Sequence, residues 1–328
     1  MKVSVCIQTY NHEPFIAQAL DSVLMQETDF DYEILLGEDD SSDGTREICR
    51  EYARKHPERI RLFLNSRENV IYINGRPTGR WNFCNNVKNA RGQYLALLDG
   101  DDFWVDPKKI QKQVSLLAED SRFVLCATDS HTQLGNDVTR QADVSENATC
   151  RVYGIQDMIQ EYLFRTCTVV VRREAVWPIQ DWQMRCPPLD YSLWLGACTK
   201  GKIAFLPEAT AVYRIHNGGI WMGVNTIARR RGTLATLEEA TPHLGGEVQH
   251  VLRRRKSELL YECAHLELNN GNLLMAIKAN WDAFKVSWRD LNVVFKCCRF
   301  PVFACARKGR YLAGRIRRIA TGPKCWYL

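Results

Sequence analysis

Several features common in membrane and secreted proteins are missing from this chain. No run of about 18 uninterrupted apolar residues occurs, so a spanning helix is not expected. Met1-Lys2 leads straight into Val3-Ser4-Val5-Cys6-Ile7, the pattern of a buried strand and not the roughly 7–15-residue apolar core of a cleavable signal. Thirteen cysteines are present, but the number is odd, no CxxC pair occurs and only Cys297-Cys298 are adjacent. A reducing, cytoplasmic compartment is therefore expected, and neither a disulfide scaffold nor a zinc module. The 45% apolar and 25% charged fractions are those of an ordinary globular protein and exclude wholesale disorder, a collagen-like fibre and a polytopic membrane protein.

A net positive charge is also lacking over most of the length. Residues 280–328 hold eleven Lys/Arg against two Asp, a balance of +9, so the rest of the chain carries −3 of the formal +6. The body is thus not a general polyanion binder. The tail can meet an anionic surface, since Arg307, Lys308, Arg310, Arg315, Arg317 and Arg318 alternate with Phe303, Tyr311, Leu312 and Ile316. No RNA-binding aromatic motif accompanies that charge, so nucleic acid is not an expected partner.

At 328 residues the chain fits two domains, or one large domain with an appendage. Strand and helix signals alternate through the first half. Strands are predicted at Val3–Ile7, Glu33–Leu36, Ile60–Leu64, Tyr94–Leu98 and Phe123–Ala127. Helices are predicted at Pro14–Met25, Gly44–Lys55, Asn82–Ala90 and Pro107–Ala118. Residues 128–165 are irregular and polar, and Thr166–Arg172 and Lys202–Arg214 read as further strands. The pattern then turns helical: Asn225–Leu237, Glu247–Asn269 and Asn272–Val286, with Asn269-Asn270-Gly271-Asn272 as a stop and restart. The spacing of Tyr261, Ala264, Leu268, Gly271, Ala276 and Ala283 matches one helical-hairpin repeat. Alternating strands and helices argue for an α/β layer with a largely parallel sheet, whose ligands sit beyond the carboxyl ends of the strands.

Three polar clusters fall at such strand ends. Thr9-Tyr10-Asn11-His12-Glu13 follows the first strand, Glu38-Asp39-Asp40-Ser41-Ser42-Asp43-Gly44-Thr45 the second, and Asp99-Gly100-Asp101-Asp102 the fourth. Three carboxylates within four residues repel one another and are tolerable where a divalent cation or solvent screens them; Gly100 lets the backbone turn and approach a ligand. In isolation such a turn could merely cap the helix near Pro107. Helix capping accounts for part of Ser41–Thr45, but not for the crowding of Glu38, Asp39 and Asp40 at one strand end, where a carboxylate can accept from a base N–H or a ribose hydroxyl.

Taken together, these stretches resemble family 2 glycosyltransferases of the GT-A fold. Ser4–Glu13 is similar to that family's opening strand and loop, Leu24-Met25-Gln26 to the end of its first helix, Glu38–Thr45 to its nucleotide-binding turn, and Tyr94–Trp104 to its metal and donor motif. Four motifs in order over residues 2–116 carry the resemblance, which continues more loosely to about residue 220. Asp40 stands where the family often has Gly, and Glu38 where it often has Asp.

The resemblance implies a GT-A, Rossmann-like mixed and mostly parallel sheet flanked by helices over residues 1–220, followed by an α-helical extension with a basic amphipathic tail over 221–328. It implies inverting transfer of a sugar from a nucleotide sugar, a UDP-sugar foremost, to a hydroxyl of a glycan or lipid-linked glycan, as in polysaccharide and cell-envelope biosynthesis. Thr9, Tyr10, Asn11, Glu13 and Asp39 would hold the nucleoside, and Asp99 with Gly100 the ribose or the cation's water shell. Asp101 and His216, the latter in Val212-Tyr213-Arg214-Ile215-His216, would hold Mn2+ or Mg2+. Asp190, in Pro187-Pro188-Leu189-Asp190-Tyr191, would be the general base, although an Asp before a helix is by itself usually an N-cap. Lipid-linked acceptors would make the basic tail a peripheral contact with an anionic membrane. The rival readings are a nucleotide-sugar-binding protein without turnover and a sugar nucleotidyltransferase. The second would favour a Gly-rich, basic loop after the first strand, where this chain has Thr9–Glu13.

Overall fold

The apolar runs of the first half become strands because they are covered on both faces. In the computed structural model, which describes residues 1–140, 150–219, 224–288 and 297, β1 (Val3–Thr9) pairs in parallel with β2 (Tyr32–Glu38), and every residue of β2 is buried. Continuous burial of that kind belongs to a parallel strand between two helical layers. Helix α1 (Ile16–Leu24) supplies one cover with Ile16, Ala19, Leu20 and Val23. Helix α2 (Thr45–Lys55) leads to β3 (Ile60–Leu64), which pairs with β2. A small hairpin, β4 (Ile71–Ile73) with β5 (Arg76–Thr78), precedes α3 (Arg80–Asn89). Then β6 (Tyr94–Asp99) returns to lie parallel to β1 on its other side.

Helix α3 carries asparagines where an apolar face would be expected. Asn82 donates to the Gly37 carbonyl at 2.8 Å and Asn86 to the Ile7 carbonyl at 2.9 Å. These bonds hold the carboxyl ends of β1 and β2. Gly37 is required for the approach, because a Cβ there would sit 1.8 Å from Asn82 Oδ1.

Beyond β6 the sheet becomes mixed. The two-residue β7 (Phe103–Trp104) is followed by α4 (Lys109–Glu119), β8 (Phe123–Leu134), β9 (Asp137–Arg140), β10 (Arg151–Tyr153) and α5 (Ile155–Gln160). The irregular stretch predicted from residue 128 is thus partly strand, since β8 runs on to Leu134 and pairs with β9. Thr166–Thr168 form a 3-10 turn, so only the end of the predicted Thr166–Arg172 strand is β11 (Val170–Arg172); it lies antiparallel between β6 and β8. Short helices α6 (Arg173–Val176) and α7 (Asp181–Arg185) lead to α8 (Leu189–Cys198). The long β12 (Lys202–Ile215) pairs in parallel with β8 and antiparallel with β7 and β10. The strand order is β10-β12-β8-β11-β6-β1-β2-β3, a mixed α/β sheet as expected.

The chain divides into two compact units, Met1–Val224 with Glu239–Val248, and Asn225–Glu238 with the residues from Gln249 onward. After α9 (Thr226–Ala240), the second unit is built on a hairpin of α10 (Gln249–Asn269) and α11 (Leu273–Val286). Cys263 and Ala264 pack there against Ala276 and Ala279, and Gly271 makes the turn with φ +81°. Small side chains let the two helix backbones approach, as the predicted repeat spacing implies. Among the described residues no helix is long and apolar enough to cross a membrane. The basic stretch from Arg307 to Arg318, and with it the expected membrane contact, lies outside the described residues.

Candidate functional site

Parallel pairing of β1 with both β2 and β6 places the three predicted clusters at one rim. The loops continue the register: Asp39 N–H donates to the Thr9 carbonyl at 3.0 Å and Gly100 N–H to the Gln8 carbonyl at 2.8 Å. The first two loops are then stitched side chain to backbone. Asn11, at φ +53°, accepts from Ser42 N–H at 2.9 Å, and Glu13 accepts from Gly44 N–H at 2.9 Å. Asn11 and Glu13 therefore spend their side chains on the partner loop. His12 N–H donates to Thr45 Oγ1 at 2.8 Å. Asp40 adopts φ +63°, which explains a preference for Gly at this position. Arg46 bonds Glu38 and reaches Asp40 at 3.2 Å, so both departures from the family pattern share one guanidinium.

Asp39 is buried and bonded by Arg67 Nη1 at 2.8 Å, while the same guanidinium lies 4.1 Å from the centroid of the exposed Tyr10 ring. Tyr10, Arg67 and Asp39 thus form a stacked plane with a carboxylate at its edge. Burial raises Asp39, an effect that Arg67 opposes. Arg67 carries no motif of its own and was not among the predicted residues; it enters from the turn after β3.

At the third cluster the tertiary fold adds two imidazoles to one carboxylate. His216 Nε2 lies 3.1 Å from Asp101 Oδ2, and His12 Nε2 lies 3.7 Å from the same oxygen. One ligand atom from each of the three residues falls within 4.8 Å of the others. His216 arrives because β7, directly after the acidic turn, pairs with β12, directly before His216. Arg214 locks this junction. Its N–H donates to Asp102 Oδ1 at 2.9 Å, its Nη1 to the Asp101 carbonyl at 2.6 Å, and its guanidinium stacks on Phe103 at 4.3 Å. Asp102, buried and turned onto the backbone, is thus withdrawn from the site. His12 was legible within the Thr9–Glu13 cluster but was not assigned as a ligand.

Burial, then Asp101, then Asp190, push Asp99 up to about 8. Burial acts to raise Asp101 as well, but the His216 bond and the two imidazoles hold it below its ordinary value. Burial lowers His12, and His216 adds to that lowering while Asp101 opposes it. Two imidazole nitrogens and one carboxylate oxygen could hold a divalent transition-metal ion more readily than Mg2+, which prefers all-oxygen ligands.

Asp190 sits in the first turn of α8, and its charge is the third cause, after burial and Asp101, that raises Asp99. Its Oδ2 accepts from the Tyr162 hydroxyl and from Thr166 Oγ1 at 3.0 Å, and its Oδ1 from Tyr191 N–H at 2.7 Å. Burial and the Asp190 charge hold the Tyr162 phenol well above its usual range, so it stays a donor. Neither Tyr162 nor Thr166 was predicted: Tyr162 lies in the irregular stretch, and Thr166 opens a segment that reads only as a strand.

Gly100 is a point of close approach between loops. A Cβ there would meet Thr9 Cβ and Oγ1 at 2.7 Å and His12 Nδ1 at 3.0 Å. Gly100→Ala is expected to destabilise the protein by about 1–3 kcal/mol, measured by urea unfolding; a variant as stable as wild type would show that the rim yields freely.

The sequence pattern described as glycosyl transferase family 2 matches residues 4–179. An uncharacterized protein of Mycobacterium tuberculosis is 32% identical over 242 residues, 72% of this chain and 67% of that protein. The UDP-Glc:alpha-D-GlcNAc-diphosphoundecaprenol beta-1,3-glucosyltransferase WfgD of Escherichia coli is 34% identical over 119 residues, 36% of this chain and 42% of WfgD. Residues 1–349 of S. aureus TarS, solved in complex with UDP-GlcNAc, superpose with a TM-score of 0.62 at 18% identity, over 87% of this chain and 81% of that one. The GT-A arrangement expected from the sequence is the fold this chain shares with TarS.

Proposed function

Because the chain belongs to glycosyl transferase family 2, we propose that this glycosyltransferase is cation-dependent and inverting, and moves a sugar from a UDP-sugar to a hydroxyl of a glycan or lipid-linked glycan. The observation that carries the reading is the meeting of His12, Asp101 and His216 around one carboxylate oxygen. A UDP donor is supported by the uridine nucleotides named for TarS and WfgD, and a lipid-linked acceptor by the undecaprenol compound named for WfgD.

In this reading Tyr10 stacks on the base, Asp39 accepts from its N–H, and Arg67 holds both in place. Thr9, Asn11 and Glu13 shape the loop that receives the nucleoside. Asp99 and Gly100 face the ribose and diphosphate. Asp101, His216 and His12 would hold the divalent cation, which supplies charge neutralisation for the departing diphosphate. Asp190 takes the proton of the acceptor hydroxyl as its oxygen bonds the anomeric carbon and the bond from that carbon to the diphosphate oxygen breaks. The Tyr162 and Thr166 hydroxyls hold the carboxylate in line. Displacement is direct, so one base suffices and configuration inverts.

A panel of UDP-sugars with Mn2+ tests this by UDP release. At least one donor is expected to turn over, and EDTA is expected to abolish that turnover with restoration by Mn2+. Tight nucleotide binding without UDP release from any donor would favour a binding protein that has lost activity; turnover undiminished by EDTA would remove the cation from the reaction.

A further inference from the structure

We propose that Arg80 is the positioning residue for Asp190, acting through the backbone that delivers the carboxylate; this rests on the reading of Asp190 as the base. Arg80 opens α3 and is 4% exposed. Its guanidinium donates to three carbonyls in succession: Nη1 to Met184, and Nη2 to Cys186 at 2.6 Å and Pro187 at 3.0 Å. Three residues further on is Asp190.

Gln183 Nε2 donates to the Ser192 carbonyl at 3.1 Å and so ties α7 to α8, but the turn between them has few bonds of its own. Pro187 and Pro188 have no N–H to donate, and α8 begins after Pro188 without a side-chain cap. The carbonyls before α8 are therefore held from outside as well, by a fork that fits several of them at once. No carboxylate among the described residues lies within ion-pair distance of Arg80, so the buried guanidinium is met by neutral dipoles, an arrangement unfavourable for mere packing. A leucine or methionine would join α3 to this segment without desolvating a charge. A buried cation that orders the approach to a single carboxylate points to precision at that carboxylate. Reacting groups misplaced by about 1 Å lose on the order of 10²-fold in rate.

The experiment uses the full chain and the donor found by the UDP-sugar panel. Arg80→Met is expected to lower kcat on the order of 10²-fold, with UDP and Mn2+ affinities by calorimetry within about twofold of wild type. Arg80→Lys, which can reach one or two of the carbonyls, is expected to recover roughly tenfold of that loss. In an Asp190→Asn background, Arg80→Met is expected to add nothing to the residual UDP release, because the group it positions is gone. Wild-type kcat in Arg80→Met overturns the proposal, as does an equal loss in the Asp190→Asn background or a parallel loss of UDP affinity. If Arg80→Met fails to fold, the kcat and affinity of Arg80→Lys decide the matter by the same split. Wild-type turnover in Asp190→Asn alone would instead overturn the reading of the base, a separate outcome.

Discussion

Asp190→Asn is expected to cut glycosyl transfer by roughly 10²–10⁴-fold, the usual contribution of a positioned general base, while UDP affinity stays within about twofold. The substitution is close to isosteric. The amide oxygen can still accept from Tyr162 and Thr166, which now bond Oδ2, although the NH2 group in the Oδ1 place cannot accept from Tyr191 N–H. What disappears is the ability to take a proton. A fall in kcat with binding intact is the signature of a group that acts in the transition state. Wild-type turnover in this variant would assign the proton transfer elsewhere and leave Asp190 as a helix-capping residue.

Asp101→Asn is expected to act earlier, on the cation. Both imidazoles of the rim converge on the Asp101 carboxylate, so the variant keeps two nitrogen donors and loses the only charged one. Mn2+ affinity by calorimetry should fall by more than the roughly 10–100-fold that even outer-shell changes cost at metal sites, and EDTA-sensitive turnover should fall with it. Thermal unfolding gives an independent readout. Mn2+ at about 100 times its Kd should stabilise wild type by about 2.7 kcal/mol and leave the variant nearly unmoved. Because Asp101 also raises its neighbour Asp99 by like charge, the metal-free variant should fold normally. Unchanged Mn2+ affinity would refute Asp101 as a ligand.

The two experiments address different distances along the chain, and the legibility of the site follows the same division. Asp99, Gly100 and Asp101 were readable because a fully apolar strand ends on them, so their place at the ligand-binding edge follows from local pattern and the geometry of parallel sheets. Asp39 was readable for the same reason. His216 and Asp190 were singled out only by resemblance, since neither a lone His after a strand nor an Asp before a helix distinguishes itself locally. Tyr162 lies in a stretch without a periodic signal, Thr166 read only as the start of a strand, and Arg67 and Arg80 fall in no motif. The asparagines of α3 read as a helix but hid their purpose, which is to bond carbonyls at the ends of two strands.

By itself the order of apolar runs and polar turns determined an α/β layer, its inner strands and the edge where acidic loops gather, because burial of a strand on both faces writes itself into neighbouring residues. Only the tertiary structure decided that β7 would pair with β12 and so carry His216 to Asp101 across 115 positions, that His12 would turn toward the same oxygen, and that Arg80 would grip the carbonyls before Asp190. Such meetings depend on strand register and loop closure between distant segments, and no local periodicity encodes the partner at the far end.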